Sequence, residues 1–271
     1  MSEYNIAMRI GIGDIILCKS YLLDFDGVRI WLDGSLEGFR GPGYNGFALK
    51  LARLVYSDQQ RFSVMGLKPI SPTIGWDNLH AEFRSRQKEM NLVDQLALSP
   101  KGFDFDRYVC VHTKSRGYPF SCQAAARIVR HLGKMGLPVV MIGEKEIELN
   151  AEYRREGFRS VSSVSSVYSI LRDIVTLDKT VGGLGITPPD MNKFLVDCSI
   201  VAGATMNICI GHGGNVVMIA ALGKGVTVMG GYNTLREYDK IFSEAIQTMS
   251  AGKMRCVFSL DDLSGVIREL S

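Results

Sequence analysis

The sequence predicts an α/β protein built from parallel, Rossmann-like sheets in two domains, the amino-terminal one reduced. Two stretches carry that prediction. Cys209 to Gly231 reads as strand, glycine turn, helix, strand: an apolar run through Ile210, a turn through Gly211-His212-Gly213-Gly214-Asn215, an apolar helix through Leu222, a Gly223-Lys224-Gly225 stop, and a buried strand Val226–Met229. Tyr108 to Ile142 repeats the order, with a strand Tyr108–His112, a helix ending at Gly133 and a strand Pro138–Ile142. A break at Pro100-Lys101-Gly102 sets the expected boundary, giving domains 1–100 and 101–271.

The remaining elements follow in order. Asn5–Ile10 is a short strand interrupted by Arg9, and a helix begins after the Gly11-Ile12-Gly13-Asp14 turn. Asp14 has two readings: a helix N-cap, or a carboxylate at the end of the first strand, placed to take a proton from a hydroxyl. Val28–Leu32 is a second strand, Gly34–Tyr44 an irregular loop, Phe47–Leu54 a short helix. From Ser57 to Ser85 the prolines, Gly75 and Asp77-Asn78 predict turns, so one or two strand–helix units are expected before residue 90. Gln87–Ser99 reads as a helix. In the second half Ser121 is a candidate cap for the helix with Ala124, Ala125, Ile128, Val129 and Leu132 inward. A charged helix is expected over 146–156, a strand at Ile174–Leu177, a helix capped by Asp190, an edge strand Arg255–Phe258 and a terminal helix capped by Ser259 or Asp261.

Composition narrows the class. The chain of 271 residues carries a formal charge of +3, too small to argue for nucleic acid, and no Lys/Arg run interleaves with aromatics. Six cysteines without a C-x-x-C pair predict buried thiols in a reducing compartment. Four histidines without ligand spacing give no metal site. The start is polar and no run reaches membrane-spanning length, so a cytoplasmic protein is expected.

The chemistry concentrates where ligands bind in open α/β sheets, beyond the carboxyl ends of the strands. Three loops are expected to meet there: Thr113-Lys114-Ser115-Arg116 to Tyr118, Gly143-Glu144-Lys145, and Gly211-His212-Gly213-Gly214-Asn215. Lys114 and Arg116 with the Thr113 and Ser115 hydroxyls suit a diphosphate, and would offset charge on a departing nucleoside diphosphate; solvated surface cations are the bland alternative. Backbone N–H groups at the helix start near His212 favour an anion, although His212 also serves as a plain strand terminus. Gly11-Ile12-Gly13 is a fragment of a dinucleotide fingerprint and lacks its third glycine. There is no G-x-x-x-x-G-K-[ST] loop, no G-x-S-x-G elbow and no D-x-D.

In Gly13-Asp14-Ile15-Ile16-Leu17, in Tyr108 to Arg116, and above all in Cys209 to Gly230, the chain resembles the two-domain GT-B-type glycosyltransferases, nearest the heptosyltransferase-like family of lipopolysaccharide synthesis. The resemblance implies a nucleoside-diphosphate sugar as donor substrate, with no other cofactor, held by the second domain. It implies an acceptor hydroxyl, on a glycan or similar molecule, held by the first. Asp14 would be the general base, Lys114 or Arg116 would hold the diphosphate, and His212, Gly213, Gly214 and Asn215 would line the donor pocket, alongside Thr113, Ser115, Gly143 and Glu144. The family usually has Asp-Thr/Ser-Gly before its late helix; Gly211-His212-Gly213-Gly214 departs from that. A nucleotide-sugar hydrolase or epimerase, or an inactive nucleotide- or glycan-binding or structural protein, are the alternative readings.

Overall fold

The computed structural model of the protein describes residues 4–36, 43–57, 60–68, 73–113, 122–143, 170–172, 174–179, 190–210, 213–229 and 237–269. Elements are numbered within them. The first half holds β1 (Tyr4–Met8), α1 (Ile12–Leu22), β2 (Val28–Asp33), α2 (Tyr44–Val55), β3 (Phe62–Lys68), α3 (Trp76–Phe83) and the single turn α4 (Val93–Leu96). The second holds β4 (Val109–Thr113), α5 (Cys122–Leu132), β5 (Val139–Gly143), β6 (Leu177–Lys179), α6 (Met191–Gly203), β7 (Met206–Ile210), α7 (Gly214–Leu222), β8 (Gly225–Val228), α8 (Glu237–Met249), β9 (Met254–Val257) and α9 (Leu260–Glu269).

Two parallel sheets result. The larger has the order β6-β5-β4-β7-β8-β9, so the chain winds outward from β4 in one direction and then from β7 in the other. The winding reverses between β4 and β7, which pair through Val111 and Ile208. β7 and β8 are buried almost throughout, and α7 is buried from Val216 to Leu222. A helix apolar on every side suits a place between two layers. The smaller sheet is β1-β2-β3. After β3 the chain returns to the far edge of β1, where Ile74 bridges Met8 and exchanges backbone bonds with Ala7 and Arg9. The first sheet therefore also reverses direction at β1.

The predicted pair of Rossmann-like sheets, the first smaller, is what the structure has. Several local expectations are corrected. Residues 57–85 contain β3 and α3, so the first half has three strands. The Ser63-Val64-Met65-Gly66 stretch alternates, but a bulge opposite Ile30/Trp31 breaks its period. The helix expected over 87–99 is reduced to Val93–Leu96. Before it, residues 87–92 form an extended strap whose amides end two helices of the other half. Met90 N–H donates to Met249 O and Leu92 N–H to Ala221 O, each at 2.9 Å. A helix there would have turned those donors inward. Asp14 is not the cap of α1: the helix starts at Ile12 behind Gly11, and Asp14 sits inside its first turn.

Other caps are as expected. Asp190 accepts from Lys193 N–H at 3.1 Å, and Ser259 Oγ accepts from Asp262 N–H at 3.1 Å. Cys18, Cys110, Cys198, Cys209 and Cys256 are buried and outside any disulfide. The expected Ser121 cap and the 146–156 helix lie outside the described residues.

Candidate functional site

Three helix starts converge on Asp14. It lies in the first turn of α1, which leaves the carboxyl end of β1. Its Oδ1 accepts the backbone N–H of Trp76, the first residue of α3, at 3.2 Å. That satisfies one of the donors a helix start leaves open, and both helix starts favour a negative charge there. The third start is that of α7. A Cβ placed on Gly13 would sit 3.7 Å from Gly214 Cα, and one on Gly214 would sit 3.3 Å from Ile12 Cβ. The helices that follow the carboxyl ends of β1 and β7 thus touch at their first turns. The reversal points of the two sheets are brought to one place, and only small residues permit that approach.

Arg9 and Asp77 border Asp14. Arg9 Nη1 lies 3.0 Å from Asp77 Oδ1, with both side chains about two-fifths exposed (39 % each). The ion pair closes over Gly75, which has no room for a Cβ, and Gly75 N–H donates to Asn78 Oδ1 at 2.9 Å. The second half contributes Tyr238, from the start of α8. Its ring centroid is 5.5 Å from that of Trp76, and the Trp76 indole hydrogen-bonds its phenol. Burial, then the negative charges of Asp14 and Asp77, push the Tyr238 hydroxyl up to about 12. The same carboxylates add to burial in raising the Cys18 thiol well above its ordinary value. That thiol stays protonated and takes no nucleophilic role.

On the second sheet, Thr113 pairs in register with Gly143 at the carboxyl ends of β4 and β5, and β7 ends beside β4. The three loops expected to converge therefore leave one edge of one sheet. Gly143 (φ 113°) and Gly213 (φ 127°) take backbone conformations closed to other residues. Gly213 is the N-cap of α7, and its carbonyl accepts Val217 N–H at 3.2 Å. Gly214 and Asn215 open that helix and are partly exposed. Lys114, Ser115, Arg116, Glu144 and His212 lie outside the described residues.

Sequence reading missed the polar floor beneath this edge. His112 is fully buried, its Nε2 3.0 Å from Asn207 Oδ1. Asn207 Nδ2 donates to Val201 O and Lys224 O, both at 3.0 Å. With both amide protons used, Asn207 Oδ1 is the acceptor and His112 carries its proton on Nε2. Nδ1 then has no hydrogen-bond partner among the described residues. Burial pushes the imidazole down to about 4, so it is neutral near pH 7. Asn207 inside an apolar run was the available signal.

Trp76 is one of the aromatic and charged residues of 57–85 that the sequence offers as the lining of an acceptor pocket, or equally as surface, but its place at the start of α3 was not expected; Tyr238, in a stretch read as a polar loop or helix, was missed as a site residue. Cavities of about 220 Å³ beside the strap at Met90 and about 620 Å³ along β9 lie away from Asp14. Among the described residues no three His, Cys, Asp or Glu side chains are grouped to hold a metal ion, and no helix is long and apolar enough to cross a membrane.

No protein-family model matches the chain, and no curated protein sequence does. Solved structures do. E. coli heptosyltransferase WaaC with ADP-2-deoxy-2-fluoro heptose is 9 % identical, covering 98 % of this chain and 100 % of its own, at TM-score 0.46. A glycosyl transferase family 9 protein from Veillonella parvula is 10 % identical, covering 99 % and 96 %, at 0.47. The dodecameric iron-containing heptosyltransferase TibC in complex with ADP-D-beta-D-heptose, described from enterotoxigenic E. coli in a related structure, is 10 % identical, covering 99 % and 77 %, at 0.48. At those scores the likeness adds nothing to the geometry of the site.

Proposed function

We propose that the chain is a glycosyltransferase that moves a sugar from a nucleoside-diphosphate donor to an acceptor hydroxyl. The observation that supports it best is the contact of α1 with α7 at Gly13 and Gly214. It sets a carboxylate from one sheet beside the anion-favouring helix start of the other. In this reading the donor lies over the β4/β7 reversal, on Thr113, Ser115, Gly143, Glu144 and the His212–Asn215 turn, with Lys114 and Arg116 on the diphosphate. The acceptor lies by Arg9, Asp77 and Tyr238. Asp14 takes the hydroxyl proton as the oxygen attacks the anomeric carbon, and the nucleoside diphosphate leaves with the bonding pair. Basic side chains offset the charge on that leaving group.

A binder without turnover is the second reading. The Asp14–Trp76 bond favours it, because it gives the carboxylate a structural task. Thermal shift with UDP, GDP, ADP, CMP and their sugar conjugates tests both. A nucleoside diphosphate is expected to raise Tm by linkage. The shift should fall in Lys114→Ala/Arg116→Ala and persist in Asp14→Asn. No shift with any nucleotide removes the donor site. A shift without sugar transfer in acceptor trials selects the binder.

A further inference from the structure

We infer, resting on the role proposed for Asp14, that His80 is a positioning residue for that site: bonded to Tyr21 of α1 and facing Glu244 of α8, it holds the Trp76 N–H on Asp14, and taking up a proton loosens the hold. Helix α3 meets α1 through two hydrogen bonds. At its start the Trp76 N–H reaches Asp14, in the first turn of α1. One turn later His80 Nδ1 lies 2.9 Å from the hydroxyl of Tyr21, in the last turn of α1. Trp76 and His80 are four residues apart and share one side of α3. Their rings stand edge-on with centroids 6.4 Å apart. That side also meets α8 of the second half. Trp76 packs on Phe242 at 5.3 Å between centroids, and His80 Nε2 lies 4.0 Å from Glu244 Oε2. A helix of 8 residues, too short to be stable by itself, is thus fixed by partners on two others.

The surroundings of the ring decide which protons it keeps. His80 is 6 % exposed and Tyr21 is fully buried. Glu244 beside Nε2 favours a neutral ring protonated there, so Nδ1 accepts the Tyr21 O–H. Burial holds the Tyr21 phenol above its ordinary value and keeps that donor. A second proton would go on Nδ1. The Tyr21 oxygen would then have to accept it, and the buried O–H would lose the acceptor it has among the described residues. The charges acting on the ring are Arg84, just past the end of α3, and Glu244, which hold each other at 2.6 Å. Helix α1 presents the Tyr21 phenol, with the protonated Cys18 thiol behind it. Burial, and then Arg84, lower the imidazole from its ordinary value, while Glu244 opposes them. The ring is therefore neutral near pH 7 and charges only below about pH 6.5, against the Tyr21 bond.

Two measurements test this on the full chain. Trp31→Phe leaves Trp76 as the single indole, and a charged imidazole beside an indole quenches its emission. Between pH 8 and pH 5, Trp76 emission should fall in one step with its midpoint below about 6.5. His80→Gln should abolish the step, Glu244→Gln should lower the midpoint, and Arg84→Gln should raise it. Hydrogen exchange reads the hold itself. At pH 7 Tyr21→Phe, which keeps the ring and loses the hydroxyl, should speed exchange of the Trp76 amide at least tenfold, with the amides of β4 and β5 unchanged. Where the parent transfers sugar, Tyr21→Phe should also lower kcat at least fivefold at unchanged donor Kd. A parent that transfers nothing would remove the role proposed for Asp14, while emission and exchange would still decide whether His80 holds Trp76. No step, a step that survives His80→Gln, a midpoint indifferent to Glu244→Gln, or Trp76 exchange unchanged in Tyr21→Phe overturns the inference. So does a kcat in Tyr21→Phe equal to that of the parent.

Discussion

The carboxylate of Asp14 holds the backbone N–H of Trp76 at 3.2 Å, joining the first turn of α1 to the start of α3. Asp14 thus has a structural task beside the proton transfer proposed for it. Asp14→Asn keeps an acceptor for Trp76 N–H, so it should fold within about 0.5 kcal/mol of the parent. Asp14→Ala removes that acceptor and should cost about 1 kcal/mol in denaturant unfolding, the usual loss for a cap. If the carboxylate is the base, both variants should lose transfer by at least 100-fold, whereas donor binding survives in Asp14→Asn. Equal transfer by the Asn variant and the parent would remove Asp14 from the chemistry.

Acid should weaken the protein through His112. Its folded value is depressed to about 4 by burial, against about 6.5 in the unfolded chain. The unfolded state therefore binds the proton first. Stability fully present above about pH 6.5 is lost progressively as the pH falls towards 4, by roughly 3 kcal/mol in total for this group. Urea midpoints between pH 7 and pH 4 should fall more steeply in the parent than in His112→Asn. Parallel curves would mean that the imidazole is not buried neutral.

Two glycines should respond in opposite directions. A Cβ at Gly75 meets the Arg9 guanidinium and the Asp77 carboxylate. Gly75→Ala should push that half-exposed ion pair apart and cost about 0–1 kcal/mol, the usual worth of such a pair. Gly46, inside α2, has nothing within 4 Å of an added Cβ. Gly46→Ala should stabilise by about 0.4–1 kcal/mol, mainly by restricting the unfolded chain. Thermal melts of the two variants check both signs.

At the α1–α7 contact, Gly214→Ala would press its Cβ to 3.3 Å from Ile12 Cβ. It should loosen the junction of the two sheets and weaken nucleotide binding several-fold with little loss of Tm. Gly213→Ala should cost more, about 1–3 kcal/mol, because its φ of 127° strains any side chain. Calorimetric titration with the best nucleotide from the screen, alongside the melts, separates the two effects.

The second half was the more legible in sequence. Its strands β4, β5, β7 and β8 are mainly apolar runs, interrupted by His112, Asn207 and Thr227, a pattern that buried parallel strands impose. In β3 the bulge at Gly66 breaks the alternation, and α3 is a short amphipathic segment beginning at Gly75 without a side-chain cap. Neither gave a periodic signal. The contact of Trp76 with Tyr238 went unread with them, because pairings this distant in the chain leave no local trace. The turn at Gly213 and the position of Asp14 were readable because glycine patterns and strand ends are local. That Asp14 bonds to Trp76 was not.

The strap at residues 87–92 bears on how the chain is made. Met90 and Leu92 are synthesised well before Met249 and Ala221, the carbonyls they serve. The first sheet can assemble early on the ribosome, but its trailing segment waits with open amides until the last helices emerge. Seating the strap is therefore a late step of folding. A polypeptide cut near residue 100 would give two fragments that each lack a helix-ending partner, and they should survive in a cell better when co-produced than when produced apart.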